Sequence, residues 1–239
     1  MSEPRVLVIV PALNESGSIA RVVADIHSHV PGADVVVIND GSTDNTSEVA
    51  TGAGAVVLNM PYNVGIGAAM QTGFKYAARQ GYDIAIQTDG DGQHPPSQIP
   101  ALIDVLCSTD ADMVIGSRFI EDRGYQQSAS RRAGGVILSR VLKLATGHTF
   151  TDPTSGFRAS NRRTLELCAR LYPHDYPEPE AIIIMHRAGL HVTEIPVTMA
   201  QRTTGVSSIT PLRSAYYMTK VILAILINLL RAPATLGYR

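Results

Sequence analysis

Short apolar runs alternate with helical apolar patterns through the first half of the chain. The runs are rich in Val and Ile, as in "RVLVIV" and "ADVVVI", and have the length of buried strands. The segments between them repeat apolar residues at helical spacing, for example at Ile19, Val22, Val23 and Ile26. This alternation predicts a mostly parallel, Rossmann-like sheet with helices on both faces, an α/β fold. The predicted strands are residues 5–10, 33–38, 55–59, 82–88 and 111–117.

Polar and glycine-rich motifs follow each predicted strand. In open parallel sheets, ligands bind at the carboxyl ends of the strands. We therefore expect these motifs to share one edge of the sheet and to form a binding site there. They read, in chain order, "PALNE", "NDGSTD", "MPYNVGIG", "DGDGQ" and "SRF".

The second half of the chain is less regular, although Gly, Pro and apolar spacing still mark its elements. It contains no repeat and no low-complexity linker. The predicted elements are a helix at 134–147, a turn and short strand at 151–160, a buried helix at 180–190, a strand at 191–199 and a polar, mobile loop at 200–210.

Residues 211–239 contain the most hydrophobic helical stretch. Its apolar run, Tyr216 to Leu230, gives about 22 Å of helix at roughly 1.5 Å per residue, against a hydrocarbon core of about 30 Å. Lys220 interrupts the run, and Tyr and Arg residues flank it as interfacial anchors do. We favour an interfacial or membrane-docking helix; a packed or oligomeric helix and a true span stay open.

Length and composition indicate one globular domain, or one domain with a small appendage. The chain has 239 residues, of which 45% are hydrophobic, enough for one sizeable core. Cys107 and Cys168 lack CxxC spacing, which predicts two core thiols in a reducing compartment. The start, "MSEPRVLVIVPALNE", has neither the basic region nor the cleavage site of a secretory signal. We therefore expect a cytosolic protein.

Charge is segregated along the chain. Residues 1–117 hold 4 Lys and Arg against 13 Asp and Glu, whereas residues 118–239 hold 16 against 8. The total of −1 conceals this asymmetry. Such a division predicts a cation site in the first half and an anionic partner for the second.

Asp89 and Asp91 are separated by one glycine directly after an apolar strand. Two like charges this close repel each other unless a cation lies between them. Small Gly90 and Gly92 leave room for a hard divalent ion and for substrate phosphates, and Gln93 could add a neutral oxygen. We predict a Mg²⁺ or Mn²⁺ site at Asp89, Asp91 and Gln93.

Asp40 supplies a second acidic point, at the end of another predicted strand. It comes just before a glycine turn, and Ser42, Thr43 or Asp44 could cap the following helix. For Asp40 we favour a ligand role, accepting hydrogen bonds from a base or from a ribose hydroxyl.

Six motifs together resemble the family 2 glycosyltransferases with the GT-A fold, and within them the dolichyl- or polyprenyl-phosphate sugar synthases. They follow the family's order from residue 6 to about 165 and extend more loosely through "EIPVTMAQRTTGVSSI". The matching motifs are "VIVPALNESGSI", "VVVINDGSTDNT", "NVGIGAAMQTGF", "QTDGDGQHPP", "VIGSRF" and "TDPTSGFRASNRR".

The resemblance implies roles for particular residues. The nucleotide-sugar would be held by Pro11, Ala12, Asn14, Glu15, Asp40, Asn63 and Gly67. The metal and diphosphate site would be Asp89, Asp91 and Gln93. The acceptor phosphate would be bound by Arg118, Arg131 and Arg202. The catalytic residues would be Asp89, Asp91, Arg118 and Asp152.

The implied reaction is inverting transfer of a sugar from a UDP- or GDP-linked donor to a polyprenyl phosphate. A phosphate nucleophile is already ionised near neutral pH, so this reaction needs no general base. A saccharide hydroxyl acceptor would need one, and Asp152, Glu178 and Glu180 are candidates. That alternative stays open, as does a catalytically silent nucleotide-binding subunit that recruits a membrane partner.

From this sequence we expect no C-terminal bundle of membrane spans, which many lipid-linked members of the family have. We therefore expect a peripheral protein at the inner face of the cytoplasmic membrane, reaching the lipid through the terminal helix or a small membrane protein. No nucleic acid partner is expected, and a homo-oligomer stays open. The predicted units are a GT-A domain at 1–210, comprising a nucleotide-sugar half at 1–117 and an acceptor half at 118–210, and a terminal helix at 211–239.

Overall fold

A computed structural model describes residues 3–121, 129–175, 177–199, 220–227 and 229 of the chain. A seven-stranded sheet forms its centre, with strand order β3-β2-β1-β4-β6-β5-β7. All neighbouring pairs are parallel except those that involve β6. The strands are β1 Val6–Ala12, β2 Asp34–Asn39, β3 Val56–Asn59, β4 Ile84–Gln87, β5 Met113–Ser117, β6 Arg158–Ser160 and β7 Val192–Pro196.

Helices cover both faces of the sheet. A 3₁₀ turn, Pro96–Gln98, precedes the fourth helix. The helices are α1 Ile19–His29, α2 Thr46–Gly52, α3 Ile66–Gln80, α4 Ile99–Ser108, α5 Ala129–Thr146, α6 Arg162–Arg170 and α7 Pro177–Arg187.

Strand β1 shows why the sheet is buried on both sides. Leu7 and Ile9 point into an apolar layer shared with α3, α5, α6 and α7, whereas Val8 and Val10 point into the layer of α1, α2 and α4. Successive side chains of a strand alternate between faces, so an uninterrupted apolar run suits a strand covered twice. The mostly parallel sheet covered on both faces, as expected from the sequence, is therefore confirmed.

Most sequence expectations for individual elements are also confirmed. The five early strands form, the buried residues of α1 are the four named from their spacing, and Gly147 ends α5 with a φ of 77°. Some expectations were wrong or incomplete. Helix α5 begins at Ala129 rather than at residue 134. Cys107 is exposed rather than in the core, because it lies on the outer side of α4. Helix α6 was missed, although Asn161 caps it by accepting from the Thr164 backbone N–H.

The position of β6 decides where the second half meets the first. It is antiparallel and lies between β4 and β5, so the turn before it reaches the carboxyl edge of both neighbours. Residues 151–157 thereby lie at the edge where β1, β2 and β4 also end. The sequence predicted a short strand within 151–160, but not that it runs antiparallel between β4 and β5.

The terminal helix is described in part. Residues 220–227 are helical, and Val221 and Ile225 are buried in the layer that contains α5 and α7. Within the part of the chain that the structure describes, no helix is long and apolar enough to cross a membrane. The rest of the predicted segment at 211–239, and the loop at 200–210, lie outside the described residues, so the domain boundaries stay predictions.

Gly67 should be essential for packing, whatever its role in binding. A Cβ at Gly67 would lie 2.2 Å from the carbonyl oxygens of both Pro173 and His174, which are backbone atoms. We expect Gly67→Ala to lower the free energy of unfolding by about 2 kcal/mol through overpacking. Gly135→Ala, also in a helix but with no atom near its Cβ, should instead stabilise by roughly 0.5–1 kcal/mol.

Urea denaturation of both variants measures this difference. Equal effects of the two substitutions would show that the close approach of α3 to residues 173 and 174 does not constrain position 67.

Candidate active site

The carboxyl ends of β1, β2 and β4 form the centre of the candidate site. The chain reverses its direction of winding between β1 and β4, because β2 and β3 lie on one side of β1 and the later strands on the other. This arrangement leaves a crevice at the strand ends. Asp89 and Asp91 follow β4 at this point, and Pro11 and Ala12 end the neighbouring β1.

The loops after β1 and β2 are tied together by their own polar side chains. Asn14 has a positive φ of 55°, and its Oδ1 accepts from the Thr43 backbone N–H at 2.8 Å. In return, the Asn14 backbone N–H donates to Ser42 Oγ at 2.9 Å. Asn14 therefore fixes the conformation of the predicted nucleoside loop, which is a structural role beside the binding role expected for it.

Glu15 links the first loop to the paired aspartates. Its Oε2 lies 2.8 Å from Ser18 Oγ, which lies 2.9 Å from the Gly90 carbonyl oxygen. Gly90 is also tightly enclosed, since a Cβ there would be 3.1 Å from the Pro11 carbonyl oxygen. The glycine between the two aspartates is thus held against the end of β1, and a larger residue would push the acidic loop outward.

Asp40 holds the loop that precedes α3. It is 6% exposed, and its carboxylate accepts from the backbone N–H groups of Val64 at 2.8 Å and Gly65 at 3.1 Å. Asn63 lies in the same loop, and its Oδ1 also accepts from the Gly65 N–H. Each carboxylate oxygen can accept a second hydrogen bond, so the nucleoside role predicted for Asp40 stays a prediction beside this structural one.

His94 is buried beneath the acidic loop, beside the partly exposed Asp89. The His94 ring is 3% exposed and stacks on Phe157, with 5.1 Å between centroids. His94 Nδ1 lies 3.3 Å from Asp89 Oδ2 but not in hydrogen-bond geometry, and neither ring nitrogen has a hydrogen-bond partner. A Cβ at Gly156 would lie 3.3 Å from Asp89 Oδ1, so the turn before β6 closes on Asp89 from the other side.

The donor set at this edge fits a hard divalent cation. Asp91 Oδ1 accepts from the Gln93 backbone N–H at 3.0 Å, which keeps the three predicted ligands in one short turn. Among the described residues, no group of three or more His, Cys, Asp and Glu could hold a metal ion. Mg²⁺ and Mn²⁺ sites commonly use one or two carboxylates and leave positions for substrate phosphates, which agrees with this sparse set.

Arg118 is held by Asp152 in a bidentate pair at the end of β5. Arg118 Nη2 donates to Asp152 Oδ1 at 2.6 Å, and Nε donates to Oδ2. The Asp152 side chain is fully buried, and that of Arg118 is 13% exposed. Asp152 therefore has its oxygens directed at a guanidinium, which makes it a positioning residue for Arg118. Its assignment as a catalytic residue stays a prediction.

Glu194 supports this pair and was not foreseen from the sequence. From β7, its carboxylate accepts from the backbone N–H groups of Thr151 and Asp152 at 2.7 and 2.8 Å. Burial raises the pKa of Glu194, and these hydrogen bonds oppose that rise. A charge inside the apolar run "HVTEIPV" was the signal that could have drawn attention to it.

Glu178 lies at the start of α7, near enough to the acidic turn for the charge of Asp89 to act on it. Burial raises its pKa, the charge of nearby Arg158 lowers it, and the charge of Asp89 raises it further. Arg158 is itself buried and donates to the backbone carbonyls of Ser155 and Pro153. A carboxyl whose pKa is raised toward neutrality suits proton transfer better than an exposed one.

Two predicted residues cannot be compared with the structure. Arg131 belongs to α5, but its side chain lies outside the described residues, and Arg202 lies outside them entirely. Gly67 is located, and its contact with residues 173 and 174 accounts for the glycine without a ligand. Its predicted binding role is therefore left to experiment.

Known proteins share this sequence pattern. Residues 7–168 match the profile of glycosyl transferase family 2, which is more than half of the chain. The chain belongs to glycosyl transferase family 2. It is therefore a glycosyltransferase, and its sheet is a GT-A fold.

Two known proteins are similar to this chain over most of their length. The polyprenol monophosphomannose synthase of Mycolicibacterium smegmatis is 30% identical, with 85% of this chain and 80% of that protein aligned. The undecaprenyl-phosphate mannosyltransferase of Micrococcus luteus is 31% identical, covering 85% and 86% respectively.

A solved structure confirms the fold. Glucosyl-3-phosphoglycerate synthase from Mycobacterium tuberculosis, in complex with Mn²⁺, UDP-glucose and phosphoglyceric acid, superposes with a TM-score of 0.72 at 23% identity. The alignment covers 97% of this chain and 81% of that one. At this level of identity the likeness concerns the fold alone.

The loop network around Asp44 should make stability depend on pH. Asp44 accepts from the Ser16 and Thr46 backbone N–H groups and from the Thr46 hydroxyl, and these bonds, led by the hydroxyl, lower its pKa to about 2 from 3.8. A lowered folded-state pKa contributes stability above the unfolded pKa, and this contribution is lost as the pH falls toward the folded pKa. Asp44→Asn should therefore destabilise at neutral pH by about 1 kcal/mol, given its exposure.

Urea denaturation of wild type and Asp44→Asn between pH 7 and pH 3 tests this expectation. The difference should narrow as the pH falls from about 4 toward 2, since protonated Asp44 resembles Asn. Glu48→Gln is the matched control, an exposed acidic residue of the same segment. A difference that stays constant with pH would contradict the role of the Asp44 charge.

Proposed function

We propose that this glycosyltransferase moves a sugar from a UDP- or GDP-linked donor to a polyprenyl phosphate with inversion at the anomeric carbon. The observation that carries the proposal is the opposite charge of two groups at one edge of the sheet. The paired aspartates follow β4 and Arg118 follows β5, and β6 lies between these two strands. The acceptors named for the two similar family members agree with it.

The spacing of these groups suits a reaction between two anions. Two strand spacings separate β4 from β5, which is about 10 Å at the sheet edge and leaves room for a sugar between them. An acceptor phosphate and a donor diphosphate repel each other, and fixed positive charge is needed to bring them together. Arg118, whose guanidinium is oriented by Asp152, would supply positive charge on the acceptor side.

The proposed step needs no general base. An oxygen of the ionised acceptor phosphate forms a bond to the anomeric carbon as the bond to the donor diphosphate breaks, and the nucleoside diphosphate leaves with that electron pair. Asp89, Asp91 and Gln93 would hold Mg²⁺ or Mn²⁺. The ion would supply stabilisation of the negative charge that develops on the leaving diphosphate. Arg118 would orient the attacking phosphate.

A hydroxyl acceptor is the second candidate, and Glu178 is the observation that favours it. Burial raises its pKa, which is the direction that favours a general base. Two results would support this reading. Transfer to a saccharide should slow as the pH falls below the pKa of Glu178, and Glu178→Gln should abolish that transfer. Transfer to polyprenyl phosphate that is indifferent to Glu178→Gln would support the first.

For the location, we propose a peripheral protein at the inner face of the cytoplasmic membrane, since a polyprenyl phosphate is held in a bilayer. The terminal helix or a small membrane protein would then bring the site to its acceptor. A homo-oligomer is compatible with this arrangement.

The metal role predicts loss of transfer when either aspartate loses its charge. Asp89→Asn and Asp91→Asn should each reduce turnover by at least roughly 100-fold, because the leaving diphosphate loses its counter-ion. The assay combines UDP- or GDP-sugars with polyprenyl phosphate or simple saccharides, in the presence of Mg²⁺ or Mn²⁺. Mass spectrometry identifies the products. Asp83→Asn, at the opposite end of β4, is the control.

Full activity of either aspartate variant, or of wild type in excess chelator, would contradict the metal role. Absence of product from every donor and acceptor pair, with nucleotide still bound, would favour the silent subunit.

The acceptor role of Arg118 predicts a selective effect. Arg118→Gln should raise the KM for polyprenyl phosphate by roughly 10- to 100-fold, because one charge-assisted contact is lost. The affinity for the donor should stay nearly unchanged. Asp152→Asn should shift the same KM in the same direction, since it releases the guanidinium. Equal weakening of donor and acceptor would count against the assignment.

A further inference from the structure

Helix α5 exposes an apolar stripe on its outer face. Val136 is 46% exposed, Ile137 47% and Leu144 89%, whereas Leu138 and Leu142 on the inner face are fully buried in the core. The inner residues share their layer with α7 and with Val221 and Ile225 of the terminal helix. The helix is therefore firmly seated, and its outer apolar residues are not needed to hold it.

Basic residues are interleaved with this stripe. Arg132, Arg140 and Lys143 are exposed on the same helix, and α5 contains no acidic residue. An exposed helix face that combines large aliphatic residues with Lys and Arg is typical of helices that lie in a membrane interface. We call the six residues Arg132, Val136, Ile137, Arg140, Lys143 and Leu144 the α5 face.

We propose that the α5 face docks this protein on an anionic lipid bilayer. Charge complementarity favours this occupant, because anionic headgroups attract Lys and Arg while the aliphatic side chains enter the acyl boundary. A second copy of the chain fits less well. In a two-fold contact the same patch meets itself, so three positive charges would face three others.

The chain positions on either side of α5 connect this surface to the acceptor site. Arg118 comes before the helix and Asp152 comes after it, so the bidentate pair joins the two ends of the segment that contains α5. Phe119 and Ile120, directly after Arg118, are also exposed, at 36% and 41%. Docking through α5 would hold the Arg118–Asp152 pair close to the lipid headgroups. This link between docking and the acceptor site rests on the proposed function.

Vesicle flotation of the full chain tests the surface. Wild type should bind vesicles of phosphatidylcholine with phosphatidylglycerol more tightly than phosphatidylcholine alone, and salt should weaken this binding. Replacing Arg132, Arg140 and Lys143 by Gln should weaken binding to anionic vesicles by roughly 100-fold, about fivefold for each charge. Replacing Val136, Ile137 and Leu144 by Gln should weaken it by roughly tenfold or more.

Matched controls separate the α5 face from general surface effects. Lys75→Gln with Arg79→Gln removes two exposed charges from α3, and Val56→Gln with Leu171→Gln removes two exposed apolar residues elsewhere. Neither control should change vesicle binding more than about twofold. Gln retains helix propensity, so thermal unfolding should show that both α5 variants stay folded.

A fluorescent label gives an independent measurement. An environment-sensitive dye on Leu144→Cys, in a Cys107→Ser background, should shift to the blue on anionic vesicles. The same dye on the exposed Cys107 of wild type should not, since α4 covers the opposite face of the sheet from α5.

Three outcomes would overturn the proposal. They are unchanged vesicle binding in both α5 variants, equal affinity of wild type for neutral and anionic vesicles, and a dimer in solution that the apolar variant dissociates while vesicle binding persists. Transfer to a short-chain polyprenyl phosphate in detergent is measured in parallel. Failure of that transfer with normal vesicle binding would contradict the proposed function and leave the docking surface standing.

Discussion

The bidentate pair of Arg118 and Asp152 is the interaction on which the second half of the site depends. A guanidinium this buried would cost several kcal/mol if it lost its carboxylate. The pair therefore needs a rigid turn, and Glu194 supplies it by accepting two backbone hydrogen bonds from residues 151 and 152. Strand β6 begins directly after that turn. The insertion of β6 into the sheet therefore also fixes Asp152, and through it the position of Arg118.

The first half of the site is organised by side chains that satisfy backbone groups. Asn14, Asp40 and Asp44 accept hydrogen bonds from loop N–H groups that no strand or helix pairs. Because each loop is fixed by a neighbouring loop, the acidic turn at Asp89 and Asp91 is held without ligand. Preorganisation of this kind lowers the cost of ordering the site when a substrate binds.

The division of charge along the chain corresponds to this division of the site. Residues 1–117 supply the acidic turn, and residues 118–239 supply the guanidinium and the basic face of α5. In the two proposals made above, this positive half would serve both a phosphate in the site and lipid headgroups at the surface. Both would follow from one electrostatic asymmetry that acts at different distances from the reacting atoms.

The sequence by itself determined the strands, most of the helices, the family and the position of the acidic turn, because apolar periodicity and motif order are local properties. Only the tertiary structure decided that β6 runs antiparallel between β4 and β5 and that Asp152 pairs with Arg118. It also decided that Gly67 packs against residues 173 and 174. These partners lie 34 or more residues apart, so no local pattern encodes them.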